Sequence, residues 1–91
     1  MSIGIYFAPA SMSSSQYDDV IARLAAAGAG APAGRSYHCA MAMGPNLHVF
    51  DVWDSMESFE AFGAVLMPIL GEVGIDPGKP EIAELHNIII G

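Results

Sequence analysis

Residues 47–62 constrain the possible fold of this chain more than any other stretch. From Leu47 to Asp54, both sets of alternating positions are largely apolar, which is typical of a strand covered on both of its faces. From Ser55 onward, apolar residues such as Phe59 and Phe62 recur at helical spacing. Asp54 or Ser55 supplies the N-cap. The stretch therefore predicts a strand that passes into a helix within one or two residues.

The preceding sequence predicts a strand, a helix and a flexible connector. Residues 3–8 are rich in strand-forming side chains and end at a proline. Ser13 and Gln16 have the spacing of a capping box, in which each residue satisfies a backbone donor of the other. The helix that they open is expected to end near residues 27–28. The Ala/Gly/Pro composition of residues 28–34 disfavours any continuation of the helix.

A second strand is predicted over residues 36–43, joined to the strand at 47–54 by a tight turn at Gly44–Asn46. The two strands should therefore pair antiparallel as a hairpin. After the second helix, Gly74–Pro80 forms a loop, and residues 81–90 are expected to form the last strand. Pro68 lies within the second helical pattern, where it should produce a kink or start a new turn.

The resulting order, β-α-β-β-α-β, predicts an α+β ferredoxin-like domain over residues 1–91, with an antiparallel four-stranded sheet and two helices on one face. The other sheet face is also apolar. The chain is 53% hydrophobic and only 14% charged, more apolar than a small core requires. We therefore expect a homodimer in which two sheets pack face to face and enclose a barrel cavity.

The segment Asp51–Phe59, with Val52, Trp53, Ser55 and Glu57, resembles the V-W-x-S-x-E-x-F segment of the dimeric α/β-barrel proteins. That superfamily includes antibiotic-biosynthesis-type monooxygenases, heme-degrading enzymes and stress-response barrels. Residues 15–20 and 85–89 are similar to one small branch of it. The resemblance implies a site in the cavity between the sheets, with the tryptophan of the motif facing that cavity.

The chain departs from the heme-degrading branch at two points. The helix predicted over residues 55–73 has no histidine to bind iron, and residues 3–8 contain no asparagine. Heme degradation is therefore excluded, and no cofactor is expected. Cofactor-free monooxygenases of the superfamily oxidise polycyclic phenols in a shaped pocket with few polar groups, and the resemblance implies that activity as one possibility here.

Four side chains are predicted to line one pocket: His38, Asp51, Trp53 and His86. Strand parity places Asp51 and Trp53 on the same face. A histidine could act as a base near neutral pH, with Asp51 orienting it. His38 and His86 are thus the candidate catalytic bases. The alternative is that these are structural polar groups at a subunit interface.

Trp53, Met41 and Phe7 are the candidate substrate contacts, although tryptophan and methionine also serve as ordinary core residues. No metal site is expected, because the three histidines lack the close spacing of metal ligands. Cys39, the only cysteine, cannot form an internal disulfide. That observation predicts a reducing compartment such as the cytoplasm.

The net charge of −7, with only three Lys or Arg residues, excludes nucleic acid and anionic membranes as partners. No apolar run predicts a membrane span, and no secretory signal is recognised. Two functions remain. The first is a protein that binds or oxidises a small apolar or aromatic molecule in the barrel cavity. The second is a non-catalytic oligomeric structural or stress-response module. A cavity of roughly 300 Å³ or more would favour the first.

Overall fold

The computed structural model describes residues 2–91 and contains six elements that form an α+β ferredoxin-like fold. The four strands form one antiparallel sheet in the order β2-β3-β1-β4. This arrangement confirms the predicted fold class. In chain order, the elements are β1 (Ile3–Phe7), α1 (Ser14–Ala26), β2 (Arg35–Met43), β3 (Asn46–Trp53), α2 (Met56–Val73) and β4 (Glu81–Glu84).

Both helices begin at the predicted caps. The Ser13 hydroxyl accepts from the Gln16 amide at 3.2 Å, and the Gln16 side chain accepts from the Ser13 amide at 3.0 Å. The Ser55 hydroxyl caps α2 by accepting from the Ser58 amide at 3.1 Å. Helix α2 runs without a break through Pro68, so no new helix starts there.

The hydrophobic core lies between the sheet and the two helices. Ile5, Val49 and Trp53 point from the sheet into this core, where they meet apolar side chains of α1 and α2. Burial of these side chains is the main favourable contribution to folding. The helix residues in the core include Val20, Leu24, Phe62, Ile69 and Leu70.

The opposite side of the sheet, called the open face below, is not covered by the helices of this chain. It carries Tyr37, Met41 and Met43, which are 45%, 39% and 49% exposed. The Tyr6 hydroxyl and His48 Nδ1 form a hydrogen bond of 2.6 Å on this face. The prediction that one apolar sheet face would lack a covering layer within the chain is therefore correct.

The last strand is shorter than predicted, since β4 ends at Glu84 and not at Ile90. Strand β4 pairs only with β1, and Glu84 lies opposite Ile3, the first residue of β1. Beyond that pair, the Leu85 N–H donates to the Ser2 carbonyl at 2.9 Å. Residues 88–90, all isoleucine, lie beyond the strand and are 51–80% exposed. Among residues 2–91, no helix is long and apolar enough to cross a membrane.

Candidate functional site

Four side chains form a continuous chain of hydrogen bonds, called the relay below, on the helix-covered face of the sheet. The Tyr17 hydroxyl lies 2.6 Å from His38 Nε2. His38 Nδ1 lies 2.5 Å from Asp51 Oδ1. The Trp53 indole N–H donates to Asp51 Oδ2 over a longer distance of 3.4 Å. Three elements, α1, β2 and β3, therefore contribute to one polar network.

Strand register brings the members of the relay together. The β2–β3 hairpin pairs His38 directly with Asp51, so their side chains point to the same face of the sheet. Trp53 lies two residues after Asp51 and shares that face. Helix α1 packs across this side, and Tyr17 lies on its inner surface. Its ring is nearly parallel to the His38 ring, with an interplanar angle of 5° and ring centroids 6.0 Å apart.

The hydrogen-bond geometry defines one consistent protonation pattern. The Asp51 carboxylate is 4% exposed and accepts at both oxygens, so His38 Nδ1 must carry a proton. His38 Nε2 is then free to accept from the Tyr17 hydroxyl. Burial raises the pKa of Tyr17, and the nearby Arg35 guanidinium opposes that rise. The phenol therefore stays protonated and donates to the histidine.

An apolar space, called the inner cavity, lies next to the relay between the sheet and the helices. Its volume is about 70 Å³, and Tyr17, His38 and Asp51 supply polar atoms to its wall. A shallow depression of about 290 Å³, called the outer depression, adjoins it, and Arg35 and His38 line both spaces. The apolar wall of the inner cavity includes Phe7, Met12, Val20, Val49, Phe62 and Leu70.

The cavity does not lie where the resemblance implied. Asp51 and Trp53 point toward the helices of their own chain and not toward the open face. Trp53 is completely buried against Phe59 and Phe62, with ring centroids 5.7 and 5.3 Å away. Its indole N–H donates to Asp51, and its ring does not form part of the wall of the inner cavity. The expectation that Trp53 faces a cavity between two sheets is therefore wrong, whereas a cavity between the sheets of two copies stays a prediction.

Of the predicted site residues, His38, Asp51 and Trp53 are in contact through the relay, and Phe7 lines the inner cavity. The structure does not bring His86 and Met41 to this site. His86 is exposed in the segment after β4, because that strand ends at Glu84. Met41 points to the open face, opposite in parity to His38.

Sequence reasoning missed Tyr17 and Arg35 as site residues. Tyr17 lies at the helical spacing of the apolar residues of α1, such as Val20 and Leu24, and that pattern predicts a core role alone. Arg35 reaches the helix-covered face because the ladder shifts register between Arg35 and Tyr37, which places Arg35 opposite Trp53. Local sequence offers no signal for such a bulge. Among residues 2–91, no three His, Cys, Asp or Glu side chains are grouped as metal ligands.

No protein-family model matches this chain, and no curated protein matches it either. Solved structures do. SnoaB, a cofactor-independent oxygenase from Streptomyces nogalater, has a TM-score of 0.64 and 17% identity, covering 97% of this chain and 94% of that one. A candidate antibiotic biosynthesis monooxygenase from Chloroflexus aurantiacus has a TM-score of 0.67 and 19% identity, covering all of both chains.

A protein of unknown function from Nitrosomonas europaea is also similar, with a TM-score of 0.58 and 19% identity. It matches 99% of this chain and 92% of its own. At these identities the similarity establishes the fold. The predicted resemblance to antibiotic-biosynthesis-type monooxygenases is thus confirmed at the level of fold.

Proposed function

We propose that this protein binds a small aromatic molecule in the inner cavity and oxidises it with molecular oxygen, without a cofactor. The observation that carries the proposal is the relay at the wall of an otherwise apolar cavity. The buried Asp51 carboxylate orients His38, and the other nitrogen of His38 contacts the phenol of Tyr17, which lines the cavity. This arrangement is suited to removing a proton from a bound ligand.

The proposed proton path uses the relay in order. A phenolic ligand donates its proton to the Tyr17 oxygen, and the Tyr17 proton passes to His38 Nε2. Asp51 then stabilises the positively charged imidazole, as a carboxylate partner does in other acid–base sites. Removal of the proton makes the ring electron-rich enough to react with oxygen. In the overall reaction, a phenol with an unsubstituted para position and O₂ give a para-quinone and water.

Similarity to a solved oxygenase structure supports this proposal. SnoaB is described as a cofactor-independent oxygenase and has the same fold over nearly the whole chain. The small inner cavity limits the portion of the ligand that it can hold. A single ring is the expected size, and larger substituents would have to extend past Arg35 into the outer depression.

Oxygen uptake with phenol and 1-naphthol, measured together with quinone absorbance, tests the proposal. His38→Gln should lower kcat by about 100-fold or more, the usual range for loss of a general base. His48→Gln is the matched control, because His48 has the same 2.6 Å tyrosine contact but lies on the open face. Equal rates for the two variants, or no oxygen uptake by the wild type with either compound, would refute the oxidation.

One observation favours a second candidate, a non-catalytic oligomeric module. The inner cavity of about 70 Å³ is well below the roughly 300 Å³ of typical ligand pockets. In that case the relay serves stability alone. Titration with a panel of aromatic compounds, monitored by Trp53 fluorescence, separates the two functions. Saturable changes support the ligand site, whereas no response across the panel supports the structural module.

We also propose that two copies associate through their open faces. The exposed Tyr37, Met41 and Met43 form an apolar surface in a chain with few charged residues. Met41→Lys should therefore shift the protein toward monomer in sedimentation equilibrium. Met67→Lys is the control, because Met67 is 52% exposed on α2. A wild-type monomer at micromolar concentration would refute the association.

A further inference from the structure

We propose that Arg35 binds an anionic group, so that the ligand of this site is a planar aromatic molecule carrying one negative charge, such as a carboxylate. This inference rests on the proposed function and narrows its substrate class. Among residues 2–91, Arg35 is the only Lys or Arg side chain that lines the inner cavity, and it also lines the outer depression. A charged ligand group at that boundary would leave its ring in the apolar interior.

The contacts of Arg35 leave most of its hydrogen-bonding capacity free. Its Nη2 donates to the Gly30 carbonyl at 3.2 Å, and its guanidinium lies 5.7 Å from the centroid of the Phe62 ring. A guanidinium has five N–H donors arranged to match a carboxylate with two parallel bonds. The Phe62 ring and the carbonyl fix its position, so little entropy is lost when it binds an anion.

No carboxylate of residues 2–91 pairs with Arg35, although the chain has ten acidic residues. The contrast with Arg23 is direct, since Arg23 contacts both Asp19 and Glu72 at 3.1 and 3.3 Å. Arg35 is thus a partly buried cation without a carboxylate partner in a chain of net charge −7. An anionic ligand would supply the missing partner.

The neighbouring relay is compatible with an anion at Arg35. Both oxygens of Asp51 accept hydrogen bonds, one from His38 and one from Trp53, so this carboxylate is held by other donors and does not pair with Arg35. The Tyr17 hydroxyl already donates its one proton to His38 Nε2, so Arg35 is the group at this boundary that can donate to an anion. The positive field of Arg35 reaches Tyr17, since it opposes the rise of the Tyr17 pKa caused by burial. Arg35 therefore supplies the positive charge at this end of the cavity, beside the neutral phenol of Tyr17.

Benzoate and benzamide, which have the same shape and differ in charge, test the inference in calorimetric titrations. Wild-type protein should bind benzoate at least about tenfold more tightly than benzamide. A hydrogen bond between charged groups is stronger than one to a neutral amide by an amount that corresponds to about this ratio of dissociation constants. Arg35→Gln should abolish the preference, because it weakens benzoate binding while the dissociation constant for benzamide stays within about twofold of the wild-type value. Arg35→Lys should retain part of it, because lysine keeps the charge but loses the planar fork.

Arg23→Gln is the matched control, because it removes the same charge from an exposed, paired position. Circular dichroism confirms that each variant is folded. If wild type binds both compounds equally, or Arg35→Gln keeps the preference for benzoate, the inference is wrong and the aromatic site survives. If wild type binds neither compound at millimolar concentration, the proposed function fails and the inference fails with it.

Discussion

Removal of the Asp51 carboxylate should destabilise the fold through the two donors that it leaves without a partner. In Asp51→Ala, the indole N–H of the fully buried Trp53 cannot reach water, and this loss costs about 1–3 kcal/mol. Its 3.4 Å hydrogen bond is long, so the lower half of that range applies. The His38 side chain is 21% exposed, and water can partly replace its bond. We expect a total loss of about 2–3 kcal/mol.

Asp51→Asn keeps the shape of the side chain and one acceptor oxygen, so its cost should be smaller, about 1–2 kcal/mol. Asp18→Ala removes the same charge from an exposed position on α1 and should change stability by less than about 0.5 kcal/mol. Urea denaturation, followed by Trp53 fluorescence and far-UV circular dichroism, measures all three variants. Protein concentration must be fixed, because association contributes to the apparent stability.

The order of the variants is the decisive result. Asp51→Ala should be the least stable, followed by Asp51→Asn, with Asp18→Ala close to wild type. If Asp51→Ala is as stable as wild type with an unchanged denaturant slope, the relay contributes nothing to folding. If Asp51→Leu is also no less stable than wild type, the desolvation cost of the buried carboxylate cancels its hydrogen bonds, as occurs for some buried ion pairs.

Three further predictions concern the elements around the site. Gly34 has φ +91°, and a Cβ added there would lie 2.6 Å from the Ser58 side chain. Gly34→Ala should therefore lower the free energy of unfolding by about 2–5 kcal/mol in urea denaturation, because it strains the backbone and overpacks the site. Gly28→Ala, with φ +76° and open space, should lose only the backbone part, and equal losses would contradict the clash. The pKa of tyrosine is ordinarily about 10, and burial raises the pKa of Tyr17 in the folded protein. The protonated phenol therefore contributes stability that is fully present below pH ~10 and is lost as the pH rises through the folded-state pKa. Tyr17→Phe should therefore reduce the alkaline loss of stability in urea denaturation at pH 9 and 11, and an unchanged loss would disprove the assignment. Ser13→Ala should cost about 1 kcal/mol by removing the α1 cap, and a melting temperature equal to wild type would argue against it.

Local sequence was sufficient to predict most of the elements. The capping box at Ser13 and the cap at Ser55 define helix starts through contacts within three residues, so no tertiary information is needed. The alternation of β3 places Asp51 and Trp53 on one face for the same reason. The length of the turn at residues 44–45 also sets the register of the hairpin. A two-residue turn pairs Met43 with Asn46 and, five residues further along each strand, His38 with Asp51. The turn predicted at Gly44–Asn46 is one residue longer, so it would not pair His38 with Asp51.

The site itself depends on tertiary structure. Alternation shows that Asp51 and Val52 face opposite ways, but only helix packing shows that Asp51 faces the helices and Met41 the open face. The Ile88–Ile90 run reads as strand from composition, yet β4 ends where its partner β1 ends. Strand formation requires a neighbour, and the neighbour is not encoded locally.

The βαββαβ order, the helix starts and the shared face of Asp51 and Trp53 follow from the sequence, because they depend on residues close together in the chain. The contact between Tyr17 and His38 and the bulge that turns Arg35 toward the cavity arise only in the folded molecule. These contacts join α1, β2 and β3 across long sequence separations. They form only when packing against the common core holds the three elements together.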